Sequence, residues 1–412
     1  MTGEQQVGDT GMSDGTAVGA EVGVESVGAN AGRENARGEK FDDSIGGETV
    51  GGWDPLAQTR RPDDPPLDVL LSGTVFFDLV FTGLDRMPGP GEELWSTGLG
   101  SSPGGIANLA TAAARLGLRT GLVAGFGDDA YADWMWQVMR DEEGIDLSAS
   151  RRFAQFHSHV TVSIAAHGDR AMITHGHDLP QPLATLVGAA PAARAAVVDL
   201  AGDTSWWAGR AADGTRIFAD IGFDETGRWD PADLAPLAHC YAFTPNAVEA
   251  LAYTRTDDPN AAVRALADRV PLAVVTDGAA GSYAIDGATG EEAYCPAVPV
   301  NALDPTGAGD VFAAGIVLGT LAQWPLQQRL EFASLCAALA VQQFGGSLAA
   351  PGWGDIADWW GHLVAAAAAG DLRAKHTADR FGFLADVVPT HRVLGRRRAS
   401  GTFALRSDAD PL

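Results

Sequence analysis

Lysine is nearly absent: the 412 residues contain only Lys40 and Lys375, both in stretches that read as tails. A folded core without lysine excludes Schiff-base catalysis and a pyridoxal-phosphate site. It also excludes the lysine of a Walker A loop or of a protein kinase. Any phosphate chemistry must then rest on backbone N–H groups, arginine and a metal ion. Cysteine is also scarce. Cys240, Cys295 and Cys336 are too few and too scattered for a disulfide framework or a zinc site, and a reducing cytoplasm fits them. No apolar run approaches a membrane span, and the N-terminus lacks the apolar centre of a signal peptide. Basic charge is in deficit. A net charge of −25 excludes general nucleic-acid binding, which needs a basic face, but leaves room for a nucleotide in a local site.

What is present falls into three parts. Residues 1–66 are rich in Gly, Glu, Asp, Ser and Thr without apolar periodicity, and the expectation is a disordered extension closed by Arg61-Pro62-Asp63-Asp64-Pro65-Pro66. Residues 67–365 carry the folded domain, and 366–412 form a C-terminal extension expected to be mobile. In that last part, Arg392, Arg396, Arg397, Arg398 and Arg406 meet no acid from 391 to 406. The segment reads as a solvated tail, with docking on the acidic body or modification at Ser400 as alternatives.

Within the domain, strand-like runs at Ala195–Leu200, Arg216–Ile221, Cys240–Thr244 and Leu272–Thr276 alternate with helix-like runs. That is the pattern of a parallel sheet covered on both faces. Segment 92–98 and a hairpin over His157–Ala166 and Arg170–His175 break the alternation. They predict a small β lid, built from about 90–103 and 155–177. The i,i+2 pairs His157/His159 and His175/His177 each share a strand face, which suits either polar edges or a metal site.

The stretch from Val300 to Asp310 ends a strand, turns through Gly307, Ala308 and Gly309, and enters an apolar helix. Small residues at a helix N-terminus let unpaired N–H groups approach an anion. An acid there suits a turn that holds a transferring phosphoryl group while Asp310 takes a proton from the attacking hydroxyl. A capping acid on a tight turn is the alternative. Asp78, inside an apolar run, needs a partner: polyol hydroxyls or backbone N–H groups. Asn108, in the first turn of the helix Ile106–Leu116, either reaches a hydroxyl or serves ordinary helix entry. Asn246 and Glu249 form a capping box, or order waters around Mg2+. The small residues after Thr276 permit close approach of a nucleotide.

These pieces, in this order, resemble the ribokinase-like (PfkB) carbohydrate kinase family over roughly residues 67–365. Asp304-Pro305-Thr306-Gly307-Ala308-Gly309-Asp310 is similar to its Asp-Thr-x-Gly-Ala-Gly-Asp motif. Gly104-Gly105-Ile106-Ala107-Asn108 is similar to its Gly-Gly motif. Asn246-Ala247-Val248-Glu249 matches Asn-x-x-Glu, and Thr276 to Gly281 matches its nucleotide loop. The resemblance implies a three-layer α/β/α sandwich with a mostly parallel sheet and a β lid. It implies ATP- and Mg2+-dependent phosphorylation of a sugar-like hydroxyl, with Asp310 as base and Gly307, Ala308 and Gly309 as the anion hole. Asp78, Gly104, Gly105, Asn108 and Arg170 become substrate contacts. Thr276, Gly278, Gly281 and Thr306 become ATP contacts, Asn246 and Glu249 stand near Mg2+, and a monovalent cation is implied near Asp304. Two departures stand out: Pro305 replaces the usual Thr, and Ile106 stands where ribokinases proper carry Lys. A nucleoside kinase, with Phe76, Phe77 or Trp95 stacking a base, and a non-catalytic sugar-binding regulator are the competing readings. A symmetric homodimer through the lid is also expected.

Overall fold

The computed structural model describes residues 53–390 apart from 167, 168, 223, 225 and 344, with the side chains of 165–170 also left out. In chain order the strands are β1 (Leu67–Ser72), β2 (Val75–Leu84), β3 (Gly98–Gly105), β4 (Thr120–Val123), β5 (Gly125–Phe126), β6 (Arg151–Arg152) and β7 (His159–Ala166). They continue with β8 (Asp169–His175), β9 (Ala193–Asp199), β10 (Arg216–Asp220), β11 (Ala242–Phe243), β12 (Leu272–Thr276), β13 (Ser282–Asp286) and β14 (Glu291–Cys295). Eight of them form one sheet in the order β14-β13-β12-β11-β10-β9-β1-β4. Its β4-to-β12 part is parallel, and β13 and β14 add antiparallel edge strands.

Side-chain alternation makes this sheet the middle of three layers. Val69, Leu71, Ala195, Val197, Leu272 and Val274 enter one core, with the helices Ile106–Arg115, Ala308–Leu321 and Leu326–Ala340. Their neighbours Leu70, Ala196, Val198, Ala273 and Val275 enter the other, with Trp207, Ala250 and Leu266 from helices of the opposite face. Burial on both faces explains the continuous apolar runs of the parallel strands. Ala308–Leu321 is apolar nearly all round because it is buried from Val311 to Leu321. Gly315 lets it press against the next helix, since a Cβ there would stand 2.7 Å from Ala333 Cα.

The lid is a four-stranded sheet in the order β3-β2-β7-β8. The hairpin is as expected, but the 92–98 segment is not its partner: residues 92–97 lie in no strand. Pro88, Gly89, Pro90 and Gly91 turn the chain out of the sheet, and Trp95 stands 87% exposed. The strand beside the hairpin is instead β2, and β3, which ends in the Gly pair, forms the far edge of the lid. The antiparallel pair β13 and β14 was also not read from the sequence.

Both expected tails contribute packed chain. Leu56 is fully buried in the main core, and Arg60 pairs with Asp54 and with the buried Asp68. A boundary at 66 therefore runs through a packed segment. A disordered reading followed from its charged and Pro-rich composition, which hides one well-placed leucine. Leu56→Ala is expected to cost about 2–5 kcal/mol, the usual range for a buried leucine, read as the denaturant midpoint shift at constant slope. A neutral result would mean that this segment contributes nothing to stability. At the other end, helices cover Leu372–Arg380 and Leu384–Val387, and Phe381 and Leu384 are fully buried. Lys375 is exposed on the first of these helices rather than in a mobile tail. The arginine-rich segment and Ser400 lie outside the described residues. Among the described residues no helix is long and apolar enough to cross a membrane.

Candidate active site

The site forms where the carboxyl ends of the parallel strands meet the lid. Gly307 starts the buried helix from a left-handed backbone (φ 74°), which favours glycine. Gly309 has no such constraint, but a Cβ there would project into open space. Asp310 lies in the first turn, and Asn108 Nδ2 donates to its Oδ2 at 3.2 Å. These residues are separated by 202 positions in the chain. Asn108 is wedged between glycines: a Cβ on Gly346 would lie 2.6 Å from its Oδ1, and one on Gly307 would lie 3.4 Å from its Cγ. Asn108 Oδ1 is buried without a hydrogen-bond partner, an acceptor left for an incoming donor. Burial pushes the Asp310 carboxyl up to about 6, against the opposing Asn108 hydrogen bond.

Asp78 enters from β2, opposite Ser102 of β3 and Thr161 of β7. Any side chain at Gly104 would collide with its carboxylate. Gly105 caps the helix Ile106–Arg115 with φ 62°, and a Cβ there would meet Thr74 O and the Phe76 ring. The Gly pair is thus set by backbone shape and by the space Asp78 occupies. Burial and the Asp304 carboxylate push Asp78 up to about 7. Asp304 ties its own loop together: it accepts from Thr306 N at 2.9 Å and Gly345 N at 3.3 Å. Ala308 N donates to Pro305 O at 3.2 Å. The hydroxyls of Ser101 and Ser102 are buried without partners.

A cavity of about 540 Å3 opens beside the helix entry, lined among others by Thr276, Gly278, Gly281, Pro305, Gly309 and Phe312. Its wall is mostly aliphatic, which suits a flat heteroaromatic ring. Gly281 (φ 107°) brings the loop against the β14 end, because a Cβ there would strike Cys295 O. Asn246 and Glu249 form the capping box, each bonding the other's backbone N–H at 3.0 Å. An isolated bridge between Asn246 and Thr276 joins this helix start to the nucleotide-type loop.

Asp220 was missed as a site residue, although the run Arg216–Ile221 contains it. It ends β10 beside Asp199, which ends β9. It remains reachable by solvent, yet lies among enough protein that burial, with Glu249 and Asp310, pushes its carboxyl up to about 8. The available signal was an acid closing each of two neighbouring strands at the end where α/β sheets bind ligands. Not every candidate converges on the cleft. The backbone of Arg170 pairs with Ala165 in the lid, but its side chain is outside the described ones. Phe77 is fully buried against Tyr131 and Trp134, and Trp95 is exposed, so neither offers a stacking face within the cleft. Phe76 remains, next to Gly105 and His159.

The raised carboxyls set a pH dependence. Between their unfolded values near 4 and their folded values, the folded chain binds more protons than the unfolded chain. Stability conferred by those protons is complete at low pH and is lost as pH rises through about 6 for Asp310, 7 for Asp78 and 8 for Asp220. Asp220→Asn should therefore flatten the fall in thermal midpoint between about pH 6 and pH 8 relative to wild type. An unchanged slope would show that Asp220 is not held protonated.

Comparison with known proteins places this site in a family. Residues 73–352 match the model of the pfkB family carbohydrate kinases. A fructokinase from Klebsiella pneumoniae is 31% identical over 278 residues, covering 60% of this chain and 89% of that protein. A 5-dehydro-2-deoxygluconokinase from Geobacillus thermodenitrificans is 24% identical over 334 residues, covering 74% and 96%. In fold, the chain is similar to Arabidopsis thaliana ribokinase, solved with ribose and ATP, with a TM-score of 0.58 at 21% identity over 69% of this chain and 96% of that one. With the glycine-rich helix entry, the Gly-Gly turn and the nucleotide-type loop arranged around one cleft, and the family match spanning most of the folded chain, this protein belongs to the pfkB family of carbohydrate kinases, ATP-binding phosphotransferases that act on an alcohol group.

Proposed function

We propose that the chain transfers the γ-phosphoryl group of ATP to a hydroxyl of a sugar or sugar-derived acceptor, with Asp310 as general base. The observation that carries this reading is the Asp310 carboxylate, next in the chain to Gly309 of the cavity wall, held by Asn108 and raised by burial toward the pH at which a base works well. The acceptor would lie against Asp78 and Asn108, under the backbone of Gly104 and Gly105. A carboxylate can accept two hydroxyl hydrogens, and the unpartnered Asn108 Oδ1 can accept another. The adenine would occupy the cavity beside Thr276, Gly278 and Gly281, with Thr306 near the phosphates. The N–H groups of Gly307, Ala308 and Gly309 would face the developing charge, the long Ala308 bond to Pro305 being exchanged for one to the phosphoryl oxygens.

Mg2+ suits this donor set, since hard oxygen ligands stand together at Asp220 and Glu249 and their mutual repulsion calls for a cation. Asp220 and Glu249 would hold the ion, with Asn246 ordering its waters, and the bound ion would neutralise phosphate charge. A monovalent cation beside Asp304 belongs to the same reading, because each carboxylate oxygen keeps a lone pair beyond its N–H bond. A sugar is favoured over a nucleoside because only Phe76, of the three candidate aromatics, stands near the glycine turn. Coupled ADP release over a panel of sugars and nucleosides, with and without Mg2+ and K+, tests the proposal. Turnover confined to nucleosides would refute the sugar assignment.

Dimerisation through the lid is part of the proposal. Met172 and Ile173 on the edge strand β8 are 55% and 70% exposed. An exposed apolar edge strand invites pairing with a second copy. Val160 instead packs against the main core, so it does not probe such an interface. Light scattering should give about twice the 42.7 kDa chain mass. Ile173→Lys should shift the mass toward one chain, and a monomeric wild type at micromolar concentration would count against the interface.

A further inference from the structure

At the base of the lid hairpin, three imidazoles converge. His157 precedes β7, His175 ends β8 and His177 follows it. One ring nitrogen from each lies within 4.8 Å of the others, and the group is open to solvent. The rings of His157 and His175 stack at 5.1 Å, and His177 meets them edge-on at 4.7 and 5.2 Å. Three side chains that become cations on protonation gain little from one another. A shared dication turns their closeness into attraction.

The surroundings prepare the rings for that role. His157 Nδ1 lies 3.1 Å from Ser158 O. A ring nitrogen that donates to a carbonyl leaves Nε2 as a free acceptor in a fixed orientation, the usual support for a metal-bound histidine. Ser158 is itself fixed, because Asp129 accepts from its N–H at 2.6 Å and its hydroxyl at 2.8 Å while capping the helix Ala130–Gln137. From the start of β7, His159 Nε2 meets His177 O beyond β8 at 2.9 Å, which holds the His177 backbone toward the cluster. Gly176 is the only residue type that fits between, as a Cβ there would collide with the His159 ring. Both ends of the hairpin are thus positioned by hydrogen bonds that use no ring nitrogen of His175 or His177.

We propose that His157, His175 and His177 bind one transition-metal dication of the zinc class and clip the ends of β7 and β8 together. With metal–nitrogen bonds of about 2.0–2.1 Å, tetrahedral ligation needs nitrogens about 3.4 Å apart. Small rotations of exposed rings close the gap from the present spacing. Three imidazoles leave the fourth position to water, and Mg2+ is a poor occupant because it prefers an oxygen octahedron. The site is independent of the kinase reading and shares no residue with the proposed Mg2+ ligands.

The test uses the untagged full-length chain after chelation and dialysis. Titration with Co2+ should produce the strong visible bands of a four-coordinate site at one equivalent, and Zn2+ should bleach them. Zn2+ should also raise the thermal midpoint. Single substitutions His157→Ala, His175→Ala and His177→Ala should each weaken Zn2+ binding by about tenfold or more. His362→Ala, on the helix Trp353–Ala368, should leave it unchanged. A wild-type chain that binds Zn2+ no more tightly than the triple alanine variant overturns the proposal. So does a weak six-coordinate Co2+ spectrum of the wild type, a result that does not depend on how any variant folds.

Discussion

Asp310→Asn is expected to lower turnover by about 10²–10⁴-fold while ATP and acceptor still bind, the range usual for loss of a general base. The substitution changes little else. Asn fills nearly the same volume, and its amide can still meet Asn108 after a flip of either side chain. It also removes a carboxyl that burial has pushed up to about 6, so the folded variant should be at least as stable as wild type near neutral pH. Kinetics and stability should therefore part company. The base must be ionised to accept a proton, so wild-type turnover should rise with pH through about 6 and the variant's residual rate should lose that limb. Near-normal turnover in a folded Asp310→Asn protein would sink the assignment of the base.

Asp78→Ala is expected to raise the acceptor KM by about 30-fold or more, with a smaller effect on the KM for ATP. Loss of a buried charged hydrogen-bonding partner typically costs about 2–5 kcal/mol of binding, and each 1.4 kcal/mol is tenfold. The fold should tolerate the change, because burial and Asp304 both disfavour the ionised carboxylate. Acceptor affinity of the wild type should improve as pH rises through about 7, since the ionised form is the better acceptor of hydroxyl hydrogens. Asp78→Asn separates charge from shape: it should keep part of the affinity and lose the pH dependence. An unchanged acceptor KM in Asp78→Ala would remove Asp78 from the substrate site and with it the reason for the glycine at 104.

The sequence by itself determined the local features of this protein. Parallel strands buried on both faces read as apolar runs whatever packs on them. Turn chemistry is equally local: Gly307 and Gly105 sit at positive φ, and Asn246 with Glu249 forms its capping box within four residues. Those signals were enough for the layered fold, the helix entry that carries Asp310 and the loop beside Thr276. The tertiary structure alone decided what meets what. Asn108 reaches Asp310 across 202 positions, Asp304 raises Asp78, and Asp220 joins Glu249 and Asp310, because strand order brings distant chain ends to one edge of the sheet. Neither periodicity nor composition encodes that convergence. The same reason explains the misplaced lid strand and the packed segments around Leu56 and Phe381. Burial of one or two large side chains can order a polar stretch, but the pocket that receives them is built from residues far away in the chain.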